Sequence, residues 1–394
     1  MSEVSRRLPL RAIATFEYGA ALPAAVRDGD LYPVFGSNGE VGRHNRALVR
    51  GPGIIIGRKG TVGAVTWSGD DFWPIDTAYY VMPSQPLNVR WLYWLLKHLP
   101  LDKLDSSTGV PGLNREDAYA IEILFPDRHT QSSVAEVLDS VDDGIRAASA
   151  IRRKLLSVKQ GLITELLSAG HVDAPVETWA PSLPDGWSLA RLEDLLAPVQ
   201  PAMRSGPFGS ALLKHELVAS GIPVLGIDNV HTDKFVRDYR RFVSPAKAAE
   251  LDRYRVFPDD VMITIMGTVG RTCVVPPDVG HALSSKHVWT LTFDQDLYLP
   301  YLITTQLNHA TWALAQLRKD EQGGIMSAIR SDTLKSLLVP VPPIAEQRRI
   351  ATVLQAVDRR IEAEVITLDK LRLLKDGLSD VLLSGRVSLV RGAA

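Results

Sequence analysis

Residues 131–168 read QSSVAEVLDSVDDGIRAASAIRRKLLSVKQGLITELLS, and residues 347–384 read QRRIATVLQAVDRRIEAEVITLDKLRLLKDGLSDVLLS. Aligned at a constant offset of 216 residues and without a gap, 16 of the 38 pairs are identical, far more than unrelated stretches share. A repeat of this strength governs the architecture and is read first. In the first copy Val134, Leu138, Val141, Ile145, Ala148, Ile151, Leu155, Val158 and Leu162 recur at spacings of three and four. Ile350, Leu354, Val357, Ile361, Val365, Leu368, Leu371, Leu374 and Leu378 do the same in the second. Such a narrow apolar seam suits a helix that pairs with another helix. Neither copy contains proline, while Pro126 and the Pro342-Pro343 pair mark the earliest points at which each helix can begin. A helix this long extends ~57 Å, more than a small domain is wide. It can lie on its own domain, but the repetition favours pairing of the two copies with each other.

Outward from the helices the character changes. Residues 1–126 and 176–340 hold short β-rich runs between Gly, Pro, Asn and Asp turns, such as Gly53-Ile54-Ile55-Ile56-Gly57 and Val261-Met262-Ile263-Thr264-Ile265. The two stretches share only local echoes: Gly60-Thr61-Val62-Gly63 recurs as Gly267-Thr268-Val269-Gly270. The plan is therefore a variable globule followed by a constant helix, twice. Its segments are 1–126 (first globule), 127–175 (first helix and linker), 176–342 (second globule) and 343–394 (second helix).

With 394 residues, 45% of them hydrophobic, the chain is long enough for two to three domains with their own cores. The single cysteine, Cys273, excludes an internal disulfide framework or a Cys-rich zinc module, fits a reducing compartment and reads as a buried thiol. The longest apolar runs fall far short of a membrane helix, and Met1-Ser2-Glu3-Val4-Ser5-Arg6-Arg7 lacks a signal-peptide core, so a cytoplasmic protein with no membrane contact is expected. A formal net charge of −1 argues against nucleic acid as a partner, because a basic domain is the usual footprint.

Set in order, however, several motifs resemble the specificity (S, or HsdS) subunit of type I restriction–modification systems. The first globule carries Tyr32-Pro33-Val34-Phe35-Gly36-Ser37-Asn38-Gly39, then Gly57-Arg58-Lys59-Gly60-Thr61-Val62-Gly63, then Phe72-Trp73-Pro74-Ile75-Asp76-Thr77-Ala78-Tyr79. The second carries Leu183-Pro184-Asp185-Gly186-Trp187, Ser205-Gly206-Pro207-Phe208-Gly209-Ser210, Gly221-Ile222-Pro223-Val224-Leu225 and Ser284-Ser285-Lys286-His287. Pro342-Pro343-Ile344-Ala345-Glu346-Gln347 looks like the usual approach to the family's helix, and Phe125-Pro126-Asp127 departs from it by losing one proline.

The resemblance implies an α+β fold. Two mixed α/β target recognition globules would be joined by two long helices in an antiparallel coiled coil, as a pseudo-two-fold repeat. It also implies a non-catalytic subunit for phage defence, each globule reading one half of an asymmetric bipartite double-stranded DNA site. Two modification (methyltransferase) subunits would dock on the helices and methylate adenine N6 with S-adenosylmethionine. Where a restriction motor and nuclease subunit accompanies them, it would use ATP and Mg; the sequence leaves its presence open. The competing reading is a helical adaptor or scaffold of a defence complex that reads no sequence.

Chemistry of the chain's own is not legible. No lysine has Asp or Glu two residues before it, as a PD-(D/E)-x-K nuclease requires, and no Asn/Asp-Pro-Pro-aromatic element of an amino-methyltransferase is present. No P-loop or His-Glu-x-x-His occurs, and nine scattered histidines form no metal motif.

DNA contacts are sought where cations and amides sit in loops. Residues 41–69 contain Arg43, Arg46, Arg50, Arg58 and Lys59 and no acid. Within them Gly57-Arg58-Lys59-Gly60, with Thr61, is a Gly-bracketed basic turn suited to approach a phosphate, though it also fits a plain hairpin. Ser37 and Asn38 are candidates although Ser-Asn-Gly is equally a β-turn. The loop holding Thr108, Asn114 and Arg115 falls where the resemblance places a DNA-facing loop. In the second globule the candidates are Arg204, Ser205, Ser210 and Lys214, then Arg271, Lys286 and His287, with Gln322 in a loop that parallels Thr108. The run Arg237-Asp238-Tyr239-Arg240-Arg241 is a weaker candidate, because its acid suggests ordinary surface pairing. The helix residues assigned to pairing and partner binding are Val134, Leu138, Val141, Ile145, Leu155, Ile350, Leu354, Val357, Ile361 and Leu371. No segment is basic as a whole: 1–126 holds 13 basic and 13 acidic residues, and 176–340 holds 16 and 18. The chain alone is therefore expected to bind DNA weakly, with recognition a property of the complex.

Overall fold

Each repeat folds as one unbroken helix of 40 residues, Arg128–Leu167 and Ile344–Leu383. The computed structural model describes residues 6–104, 112–167, 183–317 and 328–384, so Thr108 and Gln322 lie outside the described residues. The chain divides into two units, Met1–Ile151 with Glu364–Ala394, and Arg152–Ala363. Each unit thus owns one globule and part of both helices, a finer division than the sequential segments read from the sequence.

The strands of the first unit are β1 (Arg6–Pro9), β2 (Ala14–Tyr18), β3 (Tyr32–Gly36), β4 (Gly39–His44) and β5 (Gly53–Gly57). They continue with β6 (Val65–Ser68), β7 (Trp73–Pro74), β8 (Ala78–Pro83) and β9 (Glu122–Phe125). Helices α1 (Val89–His98) and α2 (Arg115–Tyr119) precede the long helix α3 (Arg128–Leu167). An antiparallel sheet runs β2-β8-β5-β6, and a smaller one runs β4-β3-β7 with β3 and β7 parallel. All five residues of β5 are buried, which is why it reads as an unbroken apolar run rather than an alternating one. The β1–β9 pair leads into α3.

The second unit opens with β10 (Ser188–Arg191), β11 (Met203–Ser205), β12 (Leu217–Val218), β13 (Ile222–Leu225), β14 (Val230–His231) and β15 (Lys234–Phe235). Strand β16 (Phe242–Val243), helix α4 (Pro245–Glu250), β17 (Arg255–Val256), β18 (Val261–Thr264) and β19 (Thr272–Val274) follow. The unit continues with β20 (Ala282–Ser284), β21 (Val288–Leu291), α5 (Pro300–His309), α6 (Thr311–Leu317) and α7 (Ser331–Ser336). It closes with β22 (Leu338–Val341) and the long helix α8 (Ile344–Leu383). Its main sheet runs β11-β21-β18-β19, the same antiparallel order as β2-β8-β5-β6. A second sheet runs β12-β16-β13-β20-β17, with β13 and β20 parallel as β3 and β7 are. The two globules therefore share a core far beyond the local echoes that their sequences show. Strand pairing depends on register and burial, which very different side chains satisfy.

Helix attachment repeats as well. Gln131 is buried, accepts from the Asn88 amide at 2.8 Å and donates to the Pro126 carbonyl at 2.8 Å. Gln347, its counterpart in the repeat, accepts from the Leu299 amide at 2.9 Å and donates to the Pro342 carbonyl at 2.9 Å. Asn88 and Leu299 are the residues that start α1 and α5, so one glutamine in each unit ties the long helix to the short one.

Where the long helices meet within a unit they run antiparallel. In the first, Lys375 bonds Asp142, and Leu371 packs at Gly144. In the second, Lys159 bonds Asp358 at 2.8 Å and Asp233 at 2.9 Å. Asp142 and Asp358 are matched repeat positions, as are Lys159 and Lys375, so each helix gives the acid in one unit and the base in the other. Burial disfavours the charge on Lys159, but its carboxylates outweigh this and hold its pKa above the ordinary lysine value. Burial likewise opposes ionisation of Asp142, and Lys375 outweighs it and keeps the carboxyl below its usual range.

The continuous apolar seam needs correction. Val134 and Leu138 are buried in the core of the first globule with Leu92 and Leu95, and Ile350 and Leu354 in that of the second with Leu302 and Trp312. These four cannot face a partner subunit. Val141, Ile145, Leu155, Val357, Ile361 and Leu371 are half-buried, while Lys159 and Glu364 are buried and Ile151 and Val158 are exposed. Apolar spacing marked the helices correctly, but part of the stripe serves globule packing, and the rest combines apolar residues such as the buried Ala148 and Leu368 with the ion pairs of Lys159 and Lys375.

Candidate nucleic-acid interface

In the first globule the Gly-bracketed turn joins β5 to β6 and packs against two other turns. The Arg58 and Lys59 amides donate to the Thr77 carbonyl at 2.9 and 3.1 Å, and the Leu113 amide donates to the Arg58 carbonyl at 2.9 Å. A Cβ placed on Gly57 would lie 2.0 Å from the Thr61 carbonyl oxygen and 2.5 Å from that of Ser37, so only glycine admits this approach. Gly60 and Gly63 have φ of 82° and 73°, the left-handed region that glycine tolerates. Ser37, Arg58, Lys59 and Thr61 are thus brought to one end of the sheet, with Asn38 exposed on the adjoining β3–β4 turn.

Arg58 and Arg115 meet there at a residue the sequence did not single out. Their Cζ atoms lie 4.8 and 5.1 Å from the ring centroid of Tyr18, which is 50% exposed. Arg58 also donates to the Asp76 carbonyl at 2.8 Å, and Arg115 to the Phe16 carbonyl at 3.4 Å. Tyr79, beside Tyr18, has its phenol pKa raised by burial and by the Tyr18 hydroxyl, against an opposing pull from Arg58.

Two candidates of this globule have other tasks. Asn114 caps α2, accepting from the Glu116 amide at 3.0 Å and donating to Asp117 at 2.8 Å. Arg43 stands near the end of β4, ion-paired to Asp30 at 3.1 Å and Glu40 at 3.3 Å and bonded to the Leu31 carbonyl at 3.0 Å. The acid-free run 41–69 is not one patch either. Arg46 and Arg50 precede β5 and Arg58 follows it, so the strand separates them by about 3.3 Å per residue.

The second globule repeats part of this turn. Gly63 donates to the Gly57 carbonyl and Gly270 to that of Thr264, both at 2.8 Å. The Arg58 amide donates to Thr77, and the Ile265 amide to the His287 carbonyl at 3.0 Å. With Ala78 and Val288 facing Gly57 and Thr264 in the registers, Arg58-Lys59 matches Ile265-Met266, and Asp76-Thr77 matches Lys286-His287. Tyr18 pairs with Tyr79 as Ser205 pairs with Trp289. Lys286 is exposed, as is Phe208, and Gly206 donates to the Ser285 carbonyl at 3.1 Å. His287 is held below its ordinary pKa by burial and by the nearby Lys286 and Arg241 charges, so it stands neutral near pH 7.

Arg204 and Ser205 are corrections. The Arg204 side chain is 3% exposed and ion-paired to the fully buried Asp260, and it donates to Thr292 at 2.9 Å and the Arg255 carbonyl at 2.6 Å. Burial presses both members toward their neutral forms, raising the Asp260 pKa and lowering that of Arg204. Ser205 is also buried. Ser210, Lys214 and Arg271 stay exposed. Arg237, Arg240 and Arg241 are ion-paired to Asp278, Asp238 and Asp228, the surface pairing read from the sequence. Cys273 is buried, its thiol pushed up to about 12 by burial first and Asp233 second. Among the described residues no cluster of His, Cys, Asp and Glu could hold a metal ion, and no helix is long and apolar enough to cross a membrane.

The family model for the type I restriction modification DNA specificity domain matches residues 10–156 and 209–371, well over half of the chain and both repeats. The chain belongs to this DNA specificity family. A Haemophilus influenzae protein assigned as a type I restriction enzyme specificity subunit is 23% identical over 368 residues, 88% of this chain and 86% of the relative. The type I restriction enzyme MjaVIII specificity subunit of Methanocaldococcus jannaschii is 20% identical over 302 residues, 74% of this chain and 68% of that protein. Among solved structures, the S subunit of a type I restriction–modification system from M. genitalium has the same fold. It aligns with a TM-score of 0.66 at 16% identity over 96% of both chains. A chain from a structure concerned with complex assembly of the type I R-M system gives 0.54 at 16% identity over 98% of this chain and 99% of that one. Repeat, fold and family membership thus agree on a specificity subunit.

Proposed function

We propose that each globule of this chain reads one half of an asymmetric, bipartite DNA site, while the paired helices set the spacer and carry two modification subunits. One observation carries the reading. Two turns that share three backbone hydrogen bonds present different side chains, Arg58 and Lys59 in one globule and the exposed Met266 in the other, where Ile265 turns into the core. A common frame with exchanged tips suits two readers of different sequences, whereas an adaptor that reads nothing has no need of matched and differently tipped turns. Exposed apolar residues on the long helices, Ile151 and Leu156 on α3 and Val353, Ile366 and Leu373 on α8, support docking of further subunits there. The methyl donor S-adenosylmethionine belongs on those modification subunits, and ATP and Mg on a restriction subunit where one joins.

Exchange of residues 1–126 for another reader globule, assayed in the complete complex by adenine methylation, tests the reading. One half of the methylated motif should change and the other half and the spacer should persist. Unchanged specificity after the exchange would support the adaptor instead.

A further inference from the structure

Lys159 and Lys375 occupy matched positions of the repeat, and each pairs with an acid of the other long helix, Asp358 and Asp142. One carboxylate is enough for that pairing, since among the described residues Lys375 has only Asp142. Lys159 has a second. It comes from the second globule, where Asp233 stands in the turn between β14 and β15 and places its carboxylate 2.9 Å from the lysine Nζ. The helix pair does not need this acid, so its task lies in the globule.

Asp233 collects donors from two elements. Besides Lys159 on α3, the Asn308 side chain donates to it at 2.6 Å and His309 Nε2 lies 2.6 Å away, both at the end of α5. Its backbone is committed too. Its φ is 59°, the left-handed region that Asp and Asn enter more readily than other side chains, and its amide donates to the Thr272 carbonyl at 3.0 Å. Thr272 is fully buried and directly follows the turn 265–271. Asn308 clasps it, accepting from its amide at 3.0 Å and donating to its carbonyl at 2.8 Å. The Thr272 hydroxyl in turn donates to the Gly270 carbonyl at 3.2 Å. A continuous run of polar contacts thus leads from α3 and α8 through Asp233 and Asn308 to the turn that carries the exposed Met266 and Arg271.

The second globule is also attached to the helices by apolar burial, with Leu302 and Trp312 in one core with Ile350 and Leu354. Such burial has no direction of its own, whereas charge-assisted hydrogen bonds are short and directional. Direction matters to a reader that must meet its half-site at a set distance from the other. One base pair of spacer moves a half-site by about 3.4 Å and turns it by about 35° around the duplex.

We infer that Asp233 is a positioning residue that fixes the second reader's turn on the helix pair and so holds the complex to one spacer length, without reading a base itself. The inference rests on the half-site reading above and assigns part of the spacer's accuracy to one carboxylate.

The test uses the complete complex with its modification subunits on two site libraries, one with the spacer varied by one and two base pairs and one with both half-sites randomised. The wild-type complex should methylate one spacer length. Asp233→Gly removes the carboxylate and leaves a residue at ease at this φ. It should lower the preference for that length over its neighbours by roughly ten-fold, the worth of one hydrogen bond to a charged group. Asp233→Asn, which still accepts from Lys159 and Asn308, should lower it less. The bases required in each half should stay as they are, which also reports a folded reader. An Asp233→Gly complex that keeps the wild-type spacer preference at a lower rate overturns the inference, since a merely structural role slows every spacer alike. So does a change in the bases required. If Asp233→Gly does not assemble, Asp233→Asn decides, and an unchanged spacer preference there overturns the inference. A wild-type complex without a bipartite motif fails the half-site reading itself, whereas a bipartite motif with a loose spacer fails only the assignment to Asp233.

Discussion

Arg204 lies on β11 with three of its partners, Asp260, Thr292 and the Arg255 carbonyl, inside the second globule. Removing one member of such a buried pair leaves the other charged, unpaired and out of reach of water. Arg204→Ala should therefore destabilise the second unit by about 3–5 kcal/mol, whereas the apolar replacement Arg204→Met with Asp260→Leu should recover most of the loss. Denaturant melts of the single and double variants check this, and a fall in DNA affinity with unchanged stability would contradict it. At this scale the sequence was legible where geometry demands a residue type. The glycines around Arg58-Lys59 announce a tight turn, and the structure places that turn beside Ser37. It was illegible where a partner comes from a distant strand. Nothing near Arg204 in sequence reveals Asp260, and nothing near Tyr18 reveals that two arginines converge on it.

The long helices were legible as elements because their apolar spacing, their proline-free length and their repetition agree. Their packing was not, because periodicity does not say whether an apolar residue meets a helix or a globule. The ion pairs at Lys159 and Lys375 make the difference testable. Lys159 is 10% exposed and serves two carboxylates, which are a quarter to a third exposed, so Lys159→Met should cost about 2–3 kcal/mol, below the range of a fully buried pair. Lys375→Met should cost less, because that lysine serves the single carboxylate of Asp142, with loss of its contact over Trp94 narrowing the difference. The sign of the pH dependence follows from the shifts. Asp142 and Asp233 are held below the ordinary carboxylate range against the cost of burial, Asp142 by Lys375 and Asp233 by His309 and Lys159. Their contribution is present above pH ~4 and is lost as pH falls through their lower folded values. Lys159 is raised, so its contribution holds below pH ~10.4 and is lost as pH rises through its folded value. The cost of Lys159→Met, measured by denaturant melts from pH 3 to pH 8, should shrink at the acid end, and a constant cost would contradict the assignment. Gln347→Ala should cost about 1–3 kcal/mol, since it strands the half-buried Leu299 amide and the buried Pro342 carbonyl.

At the scale of the whole molecule, the repeat in the helices predicted the plan, and the globules proved more alike than their sequences. A shared sheet order, β2-β8-β5-β6 and β11-β21-β18-β19, needs burial at matched positions rather than identical residues. The near-neutral charge, first an argument against DNA, sits on a chain whose basic and acidic residues balance within each globule. The chain alone should therefore bind DNA weakly and with a shallow salt dependence, and the complex tightly and with a steep one. Titrations at two salt concentrations, with and without modification subunits, separate these cases. The central claim is that one chain carries two different readers, and the methylome of cells producing it with its modification subunits tests this most directly. The account predicts a single gapped, non-palindromic motif with methylated adenines in both halves. A methylome that the chain leaves unchanged, or an ungapped palindrome, would contradict it.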